Sequence, residues 1–331
     1  MKEVKILVCD PIDEVGVTML RKAGFDVDLD TAITPERLLK KAGGYTALVV
    51  RSRTKITKEV LAAAPDIKAV ARAGVGLDNV DVDEAKKRGV QVINSPEAPS
   101  NAVAELVLGY MLSLARNLPK ADASMKRGEW MKSKLTGFEV QGKTLGVVGF
   151  GCIGYLLGKK AKALGMHVLC YDVLIDKLLN FVNEVGADSV PLDRLLAESD
   201  FVTVHVPLLP QTKGMFNVET IGKMKKGSYL INAARGGIVD EKALLGALRS
   251  GHLAGAAGVL WAGSGRVVGG RTGDLVETPE LRTHRDLSVI RSLRVRVACP
   301  APGLDRRGRS RKTCISNYRA CPVAHMSRKA P

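Results

Sequence analysis

Three glycines, Gly149, Gly151 and Gly154, stand in G-x-G-x-x-G spacing at the end of an apolar run that begins at Leu145. This pattern suits a phosphate. The first glycine makes a tight turn, the second lets backbone N–H groups approach a pyrophosphate at a helix N-terminus, and the third lets helix and strand pack closely. A glycine triplet alone has low specificity, but here residues 155–164 continue with helical periodicity and a second apolar run, 167–172, ends in Asp172. An acid at that point would bond a ribose 2′-hydroxyl and repel a 2′-phosphate, which selects NAD over NADP. Strand, glycine turn, helix, strand and acid together read as a βαβ dinucleotide-binding unit with NAD as cofactor.

Other residues able to do chemistry stand where apolar runs stop. Arg51 and Ser52 follow the run 47–50, Gly74 and Val75 follow 69–72, His205 and Pro207 lie at the end of 201–206, and Arg235 lies just beyond 228–231. In open parallel sheets, ligands gather at the C-terminal ends of strands. A guanidinium fork and a glycine-opened nest of amides both complement carboxylate or phosphate. Arg51 with the Gly74 and Val75 amides therefore reads either as an anion site or as turn residues beside a surface arginine. Arg235, in an Arg-Gly-Gly turn, reads as substrate-facing rather than as a surface residue at a helix start. His205 reads as a hydrogen-bonded wall of the cofactor site rather than as a base.

The elements that must hold these residues alternate along the chain. Strand patterns at 4–9, 25–29, 47–50, 69–72 and 90–93 interleave with helix patterns at 14–22, 35–42, 58–64 and 83–88. That succession implies a small parallel sheet covered on both faces, one α/β domain over residues 1–98. A second domain, 99–257, continues from the dinucleotide unit with helix patterns at 192–198, 218–224 and 241–248 and strand patterns at 201–206, 228–231 and 253–257. The fold class is α/β, with two doubly wound parallel-sheet domains. Asn101 begins a helical stretch to about residue 131, with Val103, Leu106, Val107, Tyr110, Met111 and Leu114 on one side. Such a helix would bridge two domains, pack on a partner subunit, or cover one sheet.

At 331 residues the chain is long enough for two cores, and its 46% hydrophobic and 25% charged composition is ordinary for a globular protein. The opening residues read as a strand rather than a signal peptide, and no apolar run reaches a membrane span, so a cytoplasmic protein without membrane contact is expected. Of the six cysteines, Cys9, Cys152 and Cys170 fall on or beside core strands, no two have zinc-ligand spacing, and buried free thiols with no metal are expected. The net charge of +16 is uneven. From Gly258 onward, thirteen Arg and two Lys face five acids, leaving only +6 for the first 257 residues. The basicity belongs to the tail, which lacks interleaved aromatics and any nucleic-acid motif, so a nucleic-acid partner is not expected.

In this order and spacing the motifs resemble the D-isomer-specific 2-hydroxyacid dehydrogenase family. The resemblance is carried by residues 50–52, 72–81, 101–105, 149–154, 205–207 and 232–241, and covers 1 to about 257. It implies a flavodoxin-like substrate domain, a Rossmann NAD domain and an active cleft between them. The implied activity is NAD-dependent oxidation of a D-2-hydroxy acid, 3-phosphoglycerate to 3-phosphohydroxypyruvate at the start of serine synthesis, with a glycerate, glyoxylate or lactate type of substrate as the alternative. Under the resemblance Arg235 orients the substrate's carboxylate and carbonyl, while Arg51, Ser52, Gly74, Val75 and Asn101 line the substrate pocket. Cys152, Ile153, Asp172, Ala233 and Ala234 touch NAD, and Cys152 replaces a larger polar residue usual in the family. A homodimer or higher homo-oligomer, built on the helix after Asn101, is implied as well.

The family's mechanism also needs a histidine base and a glutamate paired with it. Val259 stands where an aspartate is expected and Ser264 where the glutamate is expected; His284 lies near the expected place of the base and reads either as that base or as a solvated histidine of the tail. A chain lacking this acid–base pair would be a catalytically impaired NAD-binding protein. Residues 258–331 read as an aberrant, irregular basic tail, poorly ordered, with Cys299, Cys314 and Cys321 scattered in it. These departures motivate the hypothesis that the reading frame shifts near Gly258, since residues 283–286 can be encoded so that the next frame reads His-Ile-Gly-Thr. Sequencing the gene across these codons is expected to recover the missing family motifs in the adjacent frame; a frame that does not restore them overturns the idea.

Overall fold

The computed structural model describes residues 4–258 and the backbone of Leu287–Ser288. The chain forms two compact units, the first ending at Pro99 and the second beginning at Ser100. In the first, β1 (Lys5–Val8), α1 (Glu14–Lys22), β2 (Asp26–Leu29), α2 (Pro35–Lys41), β3 (Ala47–Val50), α3 (Lys58–Ala63), β4 (Ala69–Arg72), α4 (Val82–Lys87) and β5 (Gln91–Asn94) follow one another. The sheet is parallel with order β2-β1-β3-β4-β5. Alternation along β1 explains why both faces are covered. Ile6 and Val8 point to the face closed by Val17 of α1, while Leu7 and Cys9 point to the face closed by Leu38, Val60, Leu61 and Ala85 of α2 to α4. Short polar side chains start the helices: Asp13 accepts from the Val15 amide, Thr34 from Arg37 and Asp81 from Glu84.

The second unit runs α5 (Ser100–Ala115), α6 (Leu118–Lys126), β6 (Thr144–Val148), α7 (Cys152–Ala163), β7 (His167–Tyr171), α8 (Leu179–Val185), β8 (Asp188–Ser189), α9 (Leu192–Glu198), β9 (Phe201–Val204), α10 (Val218–Gly222), β10 (Ser228–Asn232), α11 (Glu241–Arg249), β11 (Leu253–Gly258) and β12 (Leu287–Ser288). Its strand order is β12-β11-β10-β9-β6-β7-β8, with every pairing parallel. One face, with Val147, Phe201 and Ile231, packs on Val107, Met111, Leu157 and Phe181; the other, with Val148, Val202 and Leu230, packs on Leu195, Leu196 and Leu244. Gly146 belongs to the second face. A Cβ there would lie 2.3 Å from Ser199 Oγ and 2.5 Å from Leu195 Cδ2, so α9 can approach β6 only because the side chain is missing.

Three expectations need correction. The helical stretch from Asn101 is two helices, because Asn117 adopts φ 54°, in the left-handed region, and Pro119 sits in the first turn of α6. A proline there has no N–H to donate back and would clash with a continuing α5. Residues 173–190 hold α8 and β8, which the apolar pattern did not mark, since both are short and α8 starts without a side-chain cap. The tail expected to be irregular contains β12, whose Leu287 and Ser288 align with Ala256 and Ala257 of β11. The rest of the tail after Gly258, including Ser264, His284, Cys299, Cys314 and Cys321, lies outside the described residues. Among those that are described, no helix is long and apolar enough to cross a membrane, and no group of three or more His, Cys, Asp or Glu could hold a metal ion.

Gly146→Val is expected to cost about 1–3 kcal/mol through overpacking against α9. A lower urea midpoint with an unchanged slope checks this; a midpoint equal to that of the wild type would show that α9 moves away freely.

Candidate functional site

In the second unit the strand order reverses direction at β6. The chain moves outward on one side through α7 to β7 and later returns on the other through β9, so the loops after β6 and β9 part and leave a crevice at their C-terminal ends. Gly149 opens the first loop at φ 94°, and a Cβ there would lie 2.8 Å from the backbone carbonyl of His205 in the second. Gly154 allows the return: a Cβ would stand 2.4 Å from the Gly149 carbonyl oxygen and 3.0 Å from Val147. Gly151, between them, would point a Cβ into open space, with no atom within 4 Å. Helix α7 begins at Cys152 with no capping side chain, so its first turn offers amide donors and the positive end of the helix dipole to a ligand. Asp172 closes the arrangement. One carboxylate oxygen accepts the Phe150 amide at 2.8 Å and the other the Leu174 amide at 2.9 Å, which fixes an anionic side chain beside the loop. An open glycine, amide donors at a helix start and a fixed acid fit the pyrophosphate and ribose of NAD.

His205 lies at the end of β9 with its amide on the Val148 carbonyl at 2.8 Å. Its Nε2 is 3.0 Å from the Thr203 hydroxyl, while Nδ1 is inaccessible and has no partner among the described residues. Burial pushes the imidazole down to about 4, so the ring is neutral near pH 7. Beyond β10, the buried Asn232 folds the next turn: its Nδ2 donates to the Arg235 carbonyl at 2.9 Å and its Oδ1 accepts the Ala234 amide at 3.1 Å. Ala233, Ala234 and Arg235 are thereby presented at the strand end, partly exposed, with Arg235 Nη1 on the Ala234 carbonyl at 2.9 Å. Pro207 accepts the Thr212 hydroxyl in the β9 loop. Asn101, exposed in the first turn of α5, donates to Glu105 at 2.7 Å.

In the first unit the order β2-β1-β3 makes a second switch point between β1 and β3. Arg51 and Ser52 stand exposed just past β3, and the Arg51 guanidinium reaches the Pro11 carbonyl at 3.3 Å. Gly74 adopts φ 150°, and Arg72 Nη1 occupies the space 1.7 Å from where a Cβ would be.

The description "D-isomer specific 2-hydroxyacid dehydrogenase, NAD binding domain" matches residues 108–261. Over 255 residues the chain is 46% identical to D-3-phosphoglycerate dehydrogenase of Methanocaldococcus jannaschii, covering 77% of this chain and 48% of that protein. A solved structure of the TT0316 protein from Thermus thermophilus is 31% identical with a TM-score of 0.74, over 86% of this chain and 88% of that one. D-lactate dehydrogenase from Aquifex aeolicus, solved with NAD and lactic acid, is 31% identical with a TM-score of 0.68, over 78% and 77%. The chain belongs to the D-isomer-specific 2-hydroxyacid dehydrogenase family. NAD is the cofactor of this family's binding domain, in agreement with the fit described above. The chain spans about half the length of the curated relatives it matches.

Within this dehydrogenase frame two expected features differ. The Gly74 amide is already committed to the Arg72 carbonyl at 2.8 Å, so it does not form half of an anion nest, and the Val75 amide carries that expectation alone. Cys152 is partly exposed rather than buried, because it opens α7 beside the glycine loop; Cys9 and Cys170 are buried, and burial first, then nearby acids, pushes both thiols up to about 12. His284 lies outside the described residues. Asp10, Asn79 and Asn232 organise these loops without standing out in the sequence pattern. Asp10 and Asn232 are short polar side chains at or just past the end of a strand, and that placement is a signal; Asn79 lies seven residues past β4, shortly before α4, and carries no such mark.

The neutral His205 gives a signed prediction. The unfolded chain takes up this proton near 6.5 and the folded chain only near 4, so the unfolded state binds more protons in between and stability falls as pH drops through that window. The unfolding free energy of wild type is expected to fall between pH 7 and 4.5 by about 2 kcal/mol more than that of His205→Gln. Equal losses in the two proteins would mean that His205 is protonated in the folded state.

Proposed function

We propose that the protein is an NAD-dependent dehydrogenase that oxidises a D-2-hydroxy acid, with 3-phosphoglycerate as substrate and 3-phosphohydroxypyruvate as product, as in serine biosynthesis. The observation that carries this is the 46% identity over 255 residues to a D-3-phosphoglycerate dehydrogenase. NAD supplies the hydride acceptor. In this reading residues 1–98 bind the substrate and 99–257 the cofactor. In it Arg235, in the turn after β10, faces the substrate's carboxylate and the oxygen on C2, where a fixed positive charge stabilises the negative charge that builds on that oxygen as its proton leaves and the hydride departs from C2. Arg51 and Ser52 complement a phosphate, with Gly74, Val75 and Asn101 completing the substrate lining. Gly149, Gly151, Cys152, Ile153 and Gly154 hold the pyrophosphate, Asp172 the ribose, and His205, Pro207, Ala233 and Ala234 the nicotinamide side. His205, neutral and tied to Thr203, shapes that wall and takes no proton; His284 is the base in this reading. We place the protein in the cytoplasm as a homodimer or higher homo-oligomer on the strength of the family resemblance.

The test is NADH formation from NAD and 3-phosphoglycerate, run beside a direct NAD-binding titration on the same sample. Arg235→Ala is expected to lower kcat/KM at least about hundredfold while leaving the NAD Kd within about twofold. His284→Ala should abolish turnover with the NAD Kd unchanged. NAD binding without turnover in the wild type would instead mark a dinucleotide-binding protein that has lost its acid–base pair, and turnover confined to glycerate, glyoxylate or lactate would reassign the substrate.

A further inference from the structure

Asp10 lies two residues past β1 and is buried, with 1% of its surface exposed. Its two oxygens accept four hydrogen bonds, all from residues 51–54: the Arg51 amide at 2.6 Å, the Thr54 amide at 3.2 Å, the Thr54 hydroxyl at 2.9 Å and Arg53 Nε at 3.0 Å. Burial alone would raise the carboxyl's pKa, but these donors outweigh it and hold the group below its ordinary value, as a carboxylate. Leaving such a charge in the interior is costly unless every lone pair is used, and here one short loop uses them all.

The two arginines of that loop have different duties. Arg53 is anchored a second time, through Nη2 to the Cys9 carbonyl at 2.7 Å and the Thr31 carbonyl at 2.8 Å, and its charge cancels that of Asp10. Arg51 keeps its guanidinium at the surface, where among the described residues it makes one hydrogen bond, to the Pro11 carbonyl at 3.3 Å. Its backbone, by contrast, is gripped from both sides. Asp10 takes the Arg51 amide, and Asn79 Nδ2 donates to the Arg51 carbonyl at 2.7 Å and to the Thr54 carbonyl at 2.6 Å. Fixing both peptide groups of one residue fixes the direction of its Cα–Cβ bond. The clamp spans the switch point between β1 and β3, whose following helices cover opposite faces of the sheet.

We propose that Asp10 is a positioning residue for substrate binding: it holds the Arg51 backbone so that the guanidinium, left uncancelled by any carboxylate of the clamp, presents one net positive charge to the anionic end of the substrate. Asn79 is the second jaw. The inference rests on the reading that Arg51 binds the phosphate of 3-phosphoglycerate.

The experiment is a double-mutant cycle of Asp10→Asn and Arg51→Ala in the full chain, read by titration with 3-phosphoglycerate in the presence of NADH and by amide hydrogen exchange without ligand. Each single variant is expected to weaken 3-phosphoglycerate binding about tenfold, with the double variant no weaker than Arg51→Ala alone, because a guanidinium that is absent cannot be mispositioned. The NADH affinity should stay unchanged, and the Arg51 and Thr54 amides should lose protection in Asp10→Asn while those of β1 and β3 keep theirs. Additive losses in the cycle, or unaltered exchange at Arg51, overturn the proposal. Asn79→Ala, which spares the buried charge, repeats the cycle if Asp10→Asn fails to fold. An Arg51→Ala variant that binds 3-phosphoglycerate like the wild type would instead refute the role of Arg51 in the functional reading, and the assignment of Asp10 to substrate binding with it, even if exchange still shows the clamp.

Discussion

A strand in a parallel sheet cannot return directly to its neighbour; each one needs a crossover, and the crossover covers a face of the sheet. In both units of this protein that constraint buries both faces, Leu7 against α2 to α4 and Ile6 against α1 in the first, Val147 against α7 and Val148 against α9 in the second. The loops at strand ends are what remains for chemistry, and they separate only where the strand order reverses. Gly149 and Gly154 exist to make that arrangement tight enough, since a side chain on either would meet backbone within 3 Å.

The loops at these points are held by one repeated device. Asp10 after β1, Asp172 after β7 and Asn232 at the end of β10 each use a short polar side chain to engage backbone groups of a loop, at distances from 2.6 to 3.1 Å for the closest contacts. A loop lacks the regular ladder that satisfies amides in a strand or helix, and a carboxylate or amide that reaches several of its backbone groups replaces that ladder. The device costs the burial of a polar or charged group. It yields a loop whose side chains point in defined directions, as binding an anion or a dinucleotide requires. The same logic separates Arg51 from Arg53: one guanidinium is consumed by carbonyls and a carboxylate, the other stays at the surface.

His205 and Asp10 show how environment, rather than residue type, sets the charge. Asp10 is buried and stays ionised because four donors face it, whereas His205 meets only a hydroxyl and loses its proton affinity to burial. The neutral ring and the fixed carboxylate both contribute shape and position. The proton transfer of the proposed reaction therefore falls to a group outside these loops.

Local periodicity was enough to place α1 at Glu14–Lys22, β3 at Ala47–Val50, β4 at Ala69–Arg72 and α9 at Leu192–Glu198, because a face buried by a strand or helix writes a period of two or of 3.6 into neighbouring residues. The glycine spacing before α7 and the acid after β7 were legible for the same reason: they are short-range requirements of one turn. What the sequence by itself determined is thus the two parallel α/β units and the cofactor class. Tertiary structure alone decided that Cys152 is only partly buried and that Asp10 and Asn79 grip Arg51. The grip depends on groups meeting across 28 and 41 residues of chain, and such a meeting leaves no periodic trace in the sequence.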